Sequence, residues 1–498
     1  MKIATRWMWR WVIAMILIAG CGKRESDDTR VSVVTSPVSA ESAAEITAFC
    51  GDCHSLPLPT SFPRARWAHE VRQGYDFYLE SGRDDLIRPL ERDAIEFFAS
   101  RSPESLPISP ASEQEVSPTA VRFVPFALPA DVFDQPDPAI SHLLWRPLQR
   151  DFLASDMRSG KIFRIDVGTK NPAVEVFGQG DHPCRLAPWP LSEGTFLLGD
   201  LGSFLPADHA KGSVRLVSRD GEDASPLLQE GLARVVEAQP FDADDDGRID
   251  LVVAEFGWRQ SGALRLLLAS PDGTYRNTIL DERHGAVAVR VADLDGDGRC
   301  ELIAAFGQEH ETIDVYWNDG PGMLTHQTIL KLPDPSWGSS GFELFDIDGD
   351  GWLDVLHANG DTLDSGLAKP YHGIRLLRNR GDRSFEVAEV GQMVGACQAS
   401  AADIDLDGDI DIVACALFQD AKAAPPGSFD AIAWFEQDAN GNFTRHSILR
   451  DSCEHAAFGL ADIDGDGRTD IVAGVWVGEE AGRIRPMIVP LRNVLVTD

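Results

Sequence analysis

The chain has 498 residues, enough for two or three domains of ordinary size, and a formal net charge of −34 at pH 7. A phosphate backbone demands a basic face, so this balance excludes nucleic acid as a partner. The carboxylates recur in short, regularly spaced clusters rather than as one acidic tail, a pattern suited to holding cations.

Residues 1–21 have the parts of an export signal: Lys2, Arg6 and Arg10, then an apolar run from Trp11 to Ala19 too short to span a bilayer. The run ends Leu17-Ile18-Ala19-Gly20-Cys21, which resembles the lipobox of bacterial lipoproteins. That resemblance implies a lipid on Cys21 and a membrane-anchored protein at the cell envelope. A plain secretory signal is the alternative. Residues 22–44 are rich in Ser, Asp, Glu and Thr without apolar period, and are expected to be a flexible tether.

Residues 45–101 are expected to be a small helical unit. Ala44 to Phe49, Arg64 to Ser81 and Leu90 to Ser100 have helical patterning, with Trp67, Val71, Tyr75 and Tyr78 spaced at three and four. Residues 50–54 read Cys-Gly-Asp-Cys-His. This resembles the attachment motif of c-type cytochromes, which implies covalent haem c on Cys50 and Cys53 with His54 as the proximal iron ligand. No second Cys or His pair stands nearby to complete a zinc site. No methionine lies between Cys53 and Arg101, so a His/Met haem is excluded within the segment. His69 is the candidate sixth ligand; the alternative is a surface histidine beside Glu70. Residues 102–118, rich in Pro and Ser, are expected to be a linker.

From residue 119 to 498 five segments share one pattern. The acidic residues are Asp242, Asp244, Asp246 and Asp250; Asp293, Asp295, Asp297 and Glu301; Asp346, Asp348, Asp350 and Asp354; Asp403, Asp405, Asp407 and Asp411; and Asp462, Asp464, Asp466 and Asp470. Successive first aspartates lie 51, 53, 57 and 59 residues apart. Alternate acids on a tight loop supply the oxygens a calcium ion needs, and a Gly at the sixth place lets the chain turn back. The twelfth place, where an EF-hand carries Glu, holds Val253, Ala304, His357, Ala414 and Ala473, and a strand-like run follows each loop. Strand, loop, strand in five copies resembles the FG-GAP or VCBS repeats of the integrin α-chain propeller, which implies about five bound calcium ions.

A period of fifty-odd residues with four short strands predicts propeller blades. Phe152 to Asp156 with Lys161 to Asp166, and Phe196 to Gly202 with Ser213 to Val217, are expected to be two earlier blades without acidic loops. The expected fold is mainly β: a seven-bladed β-propeller with calcium loops in blades three to seven, preceded by a small cytochrome c-like helical domain. The last blade stops at its third strand, and Ala120 to Leu128 is placed to supply the fourth.

No nucleophile, phosphate-loop or nucleotide motif is present. The segments before the inner strands carry His182, Cys184, His284, Trp337, Cys397, Cys453 and His455, which are either ligands at one mouth of the channel or rim packing. Cys184, Cys300, Cys397, Cys415 and Cys453 are an odd set that cannot all pair, and Cys300 and Cys415 are expected to be buried. Three functions fit. The first is a monomeric electron-transfer protein whose propeller docks a redox partner, protein or glycan. The second is a haem-coupled oxidoreductase with its substrate in the funnel. The third is an adhesive surface lipoprotein.

Overall fold

A computed structural model describes residues 38–495, apart from 109–120, 127, 169–171, 220–225, 364, 451 and 479–481. The leader, Cys21, most of the tether and most of the linker lie outside the described residues. Among those described, no helix is long and apolar enough to cross a membrane.

Seven four-stranded antiparallel sheets follow one another along the chain as the blades of a β-propeller. The strands of blade three are Val235–Phe241, Asp250–Glu255, Ala263–Ala269 and Tyr275–Asp281. The two earlier blades without acidic loops contain the strand pairs Asp151–Asp156 with Lys161–Asp166 and Thr195–Asp200 with Gly212–Ser218. Second strands such as Glu301–Phe306 and Asp411–Ala416 are buried at every position, because neighbouring blades cover both faces. Their small residues let blades approach: Ala254 and Ala304 share one core cluster with Val289 and Leu302. Fourth strands lie at the rim, and Tyr275–Asp281 has no buried position.

The last blade takes its outer strand from the other end of the propeller. Val121–Pro125 pairs antiparallel with Ile488–Leu495, Val121 opposite Leu495 and Pro125 opposite Leu491. A short ribbon of Asp134–Pro136 with Ile484–Pro486 adds a second clasp. At the closing seam a Cβ on Gly459 would stand 2.5 Å from the Phe152 ring, so only glycine fits there.

Each inner strand runs toward its acidic loop, so the five loops and the turns between third and fourth strands share one face. The opposite face, called here the upper face, carries the loops between second and third strands and the crossovers to the next blade.

Three helices form a separate small core: α1 (Ala40–Cys50), α2 (Trp67–Glu80) and α3 (Glu91–Ala99). Ser39 caps α1 by accepting from the Ser42 amide. Ile46, Phe49, Trp67, Val71, Tyr75, Phe97 and Phe98 pack together, and Trp67 stacks on Phe98 with ring centroids 4.3 Å apart. This unit sits on the upper face. Asp334, in a crossover, accepts from the Leu58 amide at 3.0 Å and from Ser61 Oγ at 2.6 Å. Tyr371 Oη donates to the Ser61 carbonyl at 2.9 Å, and Arg259 pairs with Glu80 while lying over the Phe77 ring.

Candidate functional site

Helix α1 ends at Cys50, and Gly51 begins a turn that carries Cys53 and His54 past the helix end. Both thiols are free; Cys50 is half-buried against the helical core and Cys53 is exposed. Burial pushes the Cys50 thiol up to about 11. His54 Nδ1 lies 2.8 Å from the Ser55 carbonyl oxygen. A carbonyl only accepts, so Nδ1 carries a proton and Nε2 is the ring nitrogen left to accept or to ligate. Two thiols three residues apart, followed by such an imidazole, are the donor types that a covalently attached haem would need.

Arg83 crosses this motif, donating to Cys53 Sγ at 3.2 Å and pairing with Asp52 and Asp85 at 2.7 Å. It lies just beyond the C-terminal end of α2, in the segment that leads to Ile87 and Leu90, which are 80% and 60% exposed. His69 lies in the first turn of α2. It is exposed on the face opposite Trp67, Val71 and Tyr75.

In the acidic loops the first, third and fifth carboxylates converge. Oxygens of Asp242, Asp244 and Asp246 lie within 4.8 Å of one another, as do those of Asp293, Asp295 and Asp297 and of Asp346, Asp348 and Asp350. Asp403, Asp405 and Asp411 form a similar group, with Asp407 accepting from the Asp409 amide. In the last loop Asp462 accepts from the Gly467 amide and Asp464 from the Asp466 amide. Asp244 Oδ1 and Asp403 Oδ1 are buried without a hydrogen-bond partner, so the loops have acceptor capacity left for a cation.

The ninth residue does something the sequence did not reveal. Asp354 Oδ2 accepts from the Ile347 amide at 3.2 Å and Oδ1 from the Asn379 amide at 2.8 Å. Asp250, Asp411 and Asp470 each accept likewise from the loop's second residue and from the third strand. Glu301 Oε2 holds the Leu294 amide at 2.7 Å. These carboxyls are latches that tie the loop to its own blade. Burial, then the loop's other aspartates, raises Asp354 and Asp470 to about 6; burial leads the rise of Asp411 and Glu301 to about 7.

Several of the upper-face candidates have local partners. His182 Nδ1 lies 2.7 Å from the Met157 carbonyl, His455 Nδ1 lies 2.8 Å from the Gly474 carbonyl, and the buried Cys453 Sγ lies 3.6 Å from the Asp430 carbonyl. Burial pushes Cys184 to about 11 and Cys397 to about 12. His284 differs, with Nε2 2.7 Å from Glu309 Oε1. Cys415 is fully buried, but Cys300 is exposed, against expectation. It occupies the last place of the loop, just before the strand that begins at the buried Glu301.

Nearer the axis, inner strands bring together Arg185, Glu237, Arg290, Glu343 and His142. Arg290 pairs with Glu237 at 2.5 Å and with Glu343 at 2.9 Å, and Arg185 reaches Glu343 at 3.5 Å. His142 Nδ1 accepts from the Leu186 amide at 3.1 Å. Burial, helped by Arg185, lowers His142 to about 3, so this imidazole is neutral. The charges come from four different blades, so no local pattern could have exposed the cluster.

The profile of the FG-GAP-like repeat matches residues 242–304 and 293–357. No curated protein matches the chain. Among solved structures, an ancestral GH74 enzyme is similar at TM-score 0.44 and 11% identity, over 69% of this chain and 45% of that one. This chain therefore spans less than half the length of that enzyme. Saccharomyces cerevisiae Sqt1 is similar at TM-score 0.43 and 12% identity, over 73% of this chain and 98% of that one. The Dos1 propeller is similar at TM-score 0.43 and 9% identity, over 71% and 77%.

Proposed function

We propose that this chain is an exported, lipid-anchored electron-transfer protein, with one c-type haem on Cys50, Cys53 and His54 and a calcium-stabilised propeller as its docking module. The observation that carries the reading is the His54 Nδ1 contact to the Ser55 carbonyl at 2.8 Å, which leaves Nε2 free beside two free thiols. Haem bound there supplies a one-electron couple. His54 would ligate the iron, Cys50 and Cys53 would carry the covalent bonds to the haem, and Arg83 sets positive charge beside Cys53. Asp334, Tyr371 and Arg259 hold the unit on the upper face, so a partner docking on that face meets the haem segment and the propeller together. The partner is a redox protein, with a protein or glycan surface as the alternative ligand of the propeller.

The axial cluster of Arg185, Glu237, Arg290 and Glu343 favours docking over a substrate held in the channel, because their ion pairs occupy the inner-strand surface such a substrate would need. His69 is kept as the candidate for the sixth iron position. The test is a reduced-minus-oxidised spectrum of protein from the membrane fraction, with a potential titration. A c-type spectrum absent from a Cys50→Ser/Cys53→Ser variant supports the proposal; identical spectra from the two proteins would refute it.

A further inference from the structure

We propose that His284, Glu309 and His310 form a binding site for one divalent transition-metal ion of the zinc class. A ring nitrogen of each histidine and a carboxylate oxygen of Glu309 all lie within 4.8 Å of one another. Ligands bound at about 2.0–2.2 Å to a common ion stand closer still, so a small closure of the side chains completes the site. The set has two imidazoles and one carboxylate, which suits a borderline ion such as Zn²⁺ and not Ca²⁺, whose ligands are oxygens.

The backbone holds the two loops together before any ion arrives. His284 is in the crossover into blade four, and Glu309 and His310 are in the loop between that blade's second and third strands. The Gly307 amide donates to the Gly285 carbonyl at 2.9 Å, and the Gly285 amide to the Phe256 carbonyl at 2.9 Å. Gly285 takes φ +80°, and a Cβ there would lie 3.1 Å from both the Gly307 carbonyl oxygen and Gln308 Oε1, so glycine keeps the approach close.

A plain His284–Glu309 ion pair explains two of the three residues. It leaves His310 unexplained, since its Nε2 is buried without a hydrogen-bond partner. A metal ion bound through Nε2 would supply that missing partner. The neighbouring cation, Arg283, is already engaged by Asp281 and Asp314, each at 2.8 Å. Three protein ligands leave at least one coordination position for water or an incoming ligand. The site stands on propeller residues alone, on the upper face and away from the acidic loops, and does not depend on the haem reading.

The test uses the full-length chain, stripped with a chelator, resaturated with Ca²⁺ and dialysed against limiting Zn²⁺, with bound metal measured by elemental analysis. One Zn²⁺ per chain is expected, bound at least tenfold more weakly by Glu309→Gln and by His310→Ala. X-ray absorption at the zinc edge should give imidazole and oxygen ligands without sulfur. Variants are checked for an unchanged melting transition in Ca²⁺; if His310→Ala fails that check, the near-isosteric Glu309→Gln decides. No zinc on the wild type, unchanged zinc on Glu309→Gln, or sulfur in the first shell would overturn the proposal.

Discussion

Ser61 donates its hydroxyl to Asp334 Oδ2 at 2.6 Å, joining the helical unit to the propeller across 273 residues of chain. Asp334 is 1% exposed, and its other oxygen accepts from the Ser336 amide at 2.9 Å, so the carboxylate is both a cap and a docking post. Asp334→Ala would leave the Leu58 and Ser336 amides without their acceptor, costing about 1–3 kcal/mol. Hydrogen exchange should then accelerate from Leu58 to Ser61 while the blade strands keep their protection. Unchanged exchange in that segment would show that the bond does not hold the unit.

Calcium removal should destabilise the propeller, because each loop gathers carboxylates that repel one another without a cation. A chelator should lower the melting temperature by at least about 5 °C, the effect of ions bound well above their dissociation constants. Asp348→Ala should reduce the bound calcium by one ion. An unchanged melting curve after verified removal would end the structural role assigned to the ion.

The ninth carboxyls should matter even without calcium. Asp354→Asn keeps one acceptor oxygen but gives up the other, so it should cost about 1–3 kcal/mol. A pure metal ligand would lose its effect in chelator; a latch should give nearly the same loss of stability with and without Ca²⁺. Denaturant titrations of both forms separate the two roles.

His142 predicts a pH dependence. Its folded-state value, about 3, lies below the usual 6.5, so the unfolded chain binds the proton first as pH falls. Its contribution to stability is intact above 6.5 and is lost between 6.5 and about 3. The groups that face it are Arg185 and Arg290, which oppose protonation, and Glu343, which favours it. His142→Gln can still accept from the Leu186 amide and should flatten this part of the profile, measured as the difference in melting temperature from the wild type.

Much of the architecture was legible because propeller blades repeat. The acidic loops recur in register, and Val121–Pro125 could be assigned to the final blade because that blade lacks a fourth strand. What stayed hidden depends on contacts between distant residues. Glu309 and His310 carry no signal until the Gly285–Gly307 bond sets them beside His284, and Asp334 has no motif that marks it as a docking post. Position nine reads as one more calcium acid, and its oxygens also hold backbone amides.

The haem reading is tested most directly by mapping the denatured, protease-digested protein. Haem mass should remain on the one fragment that contains Cys50 and Cys53, and should vanish from that fragment in the Cys50→Ser/Cys53→Ser variant. Haem that extracts from the wild type into acidic organic solvent, or a fragment carrying no haem at all, would contradict the account.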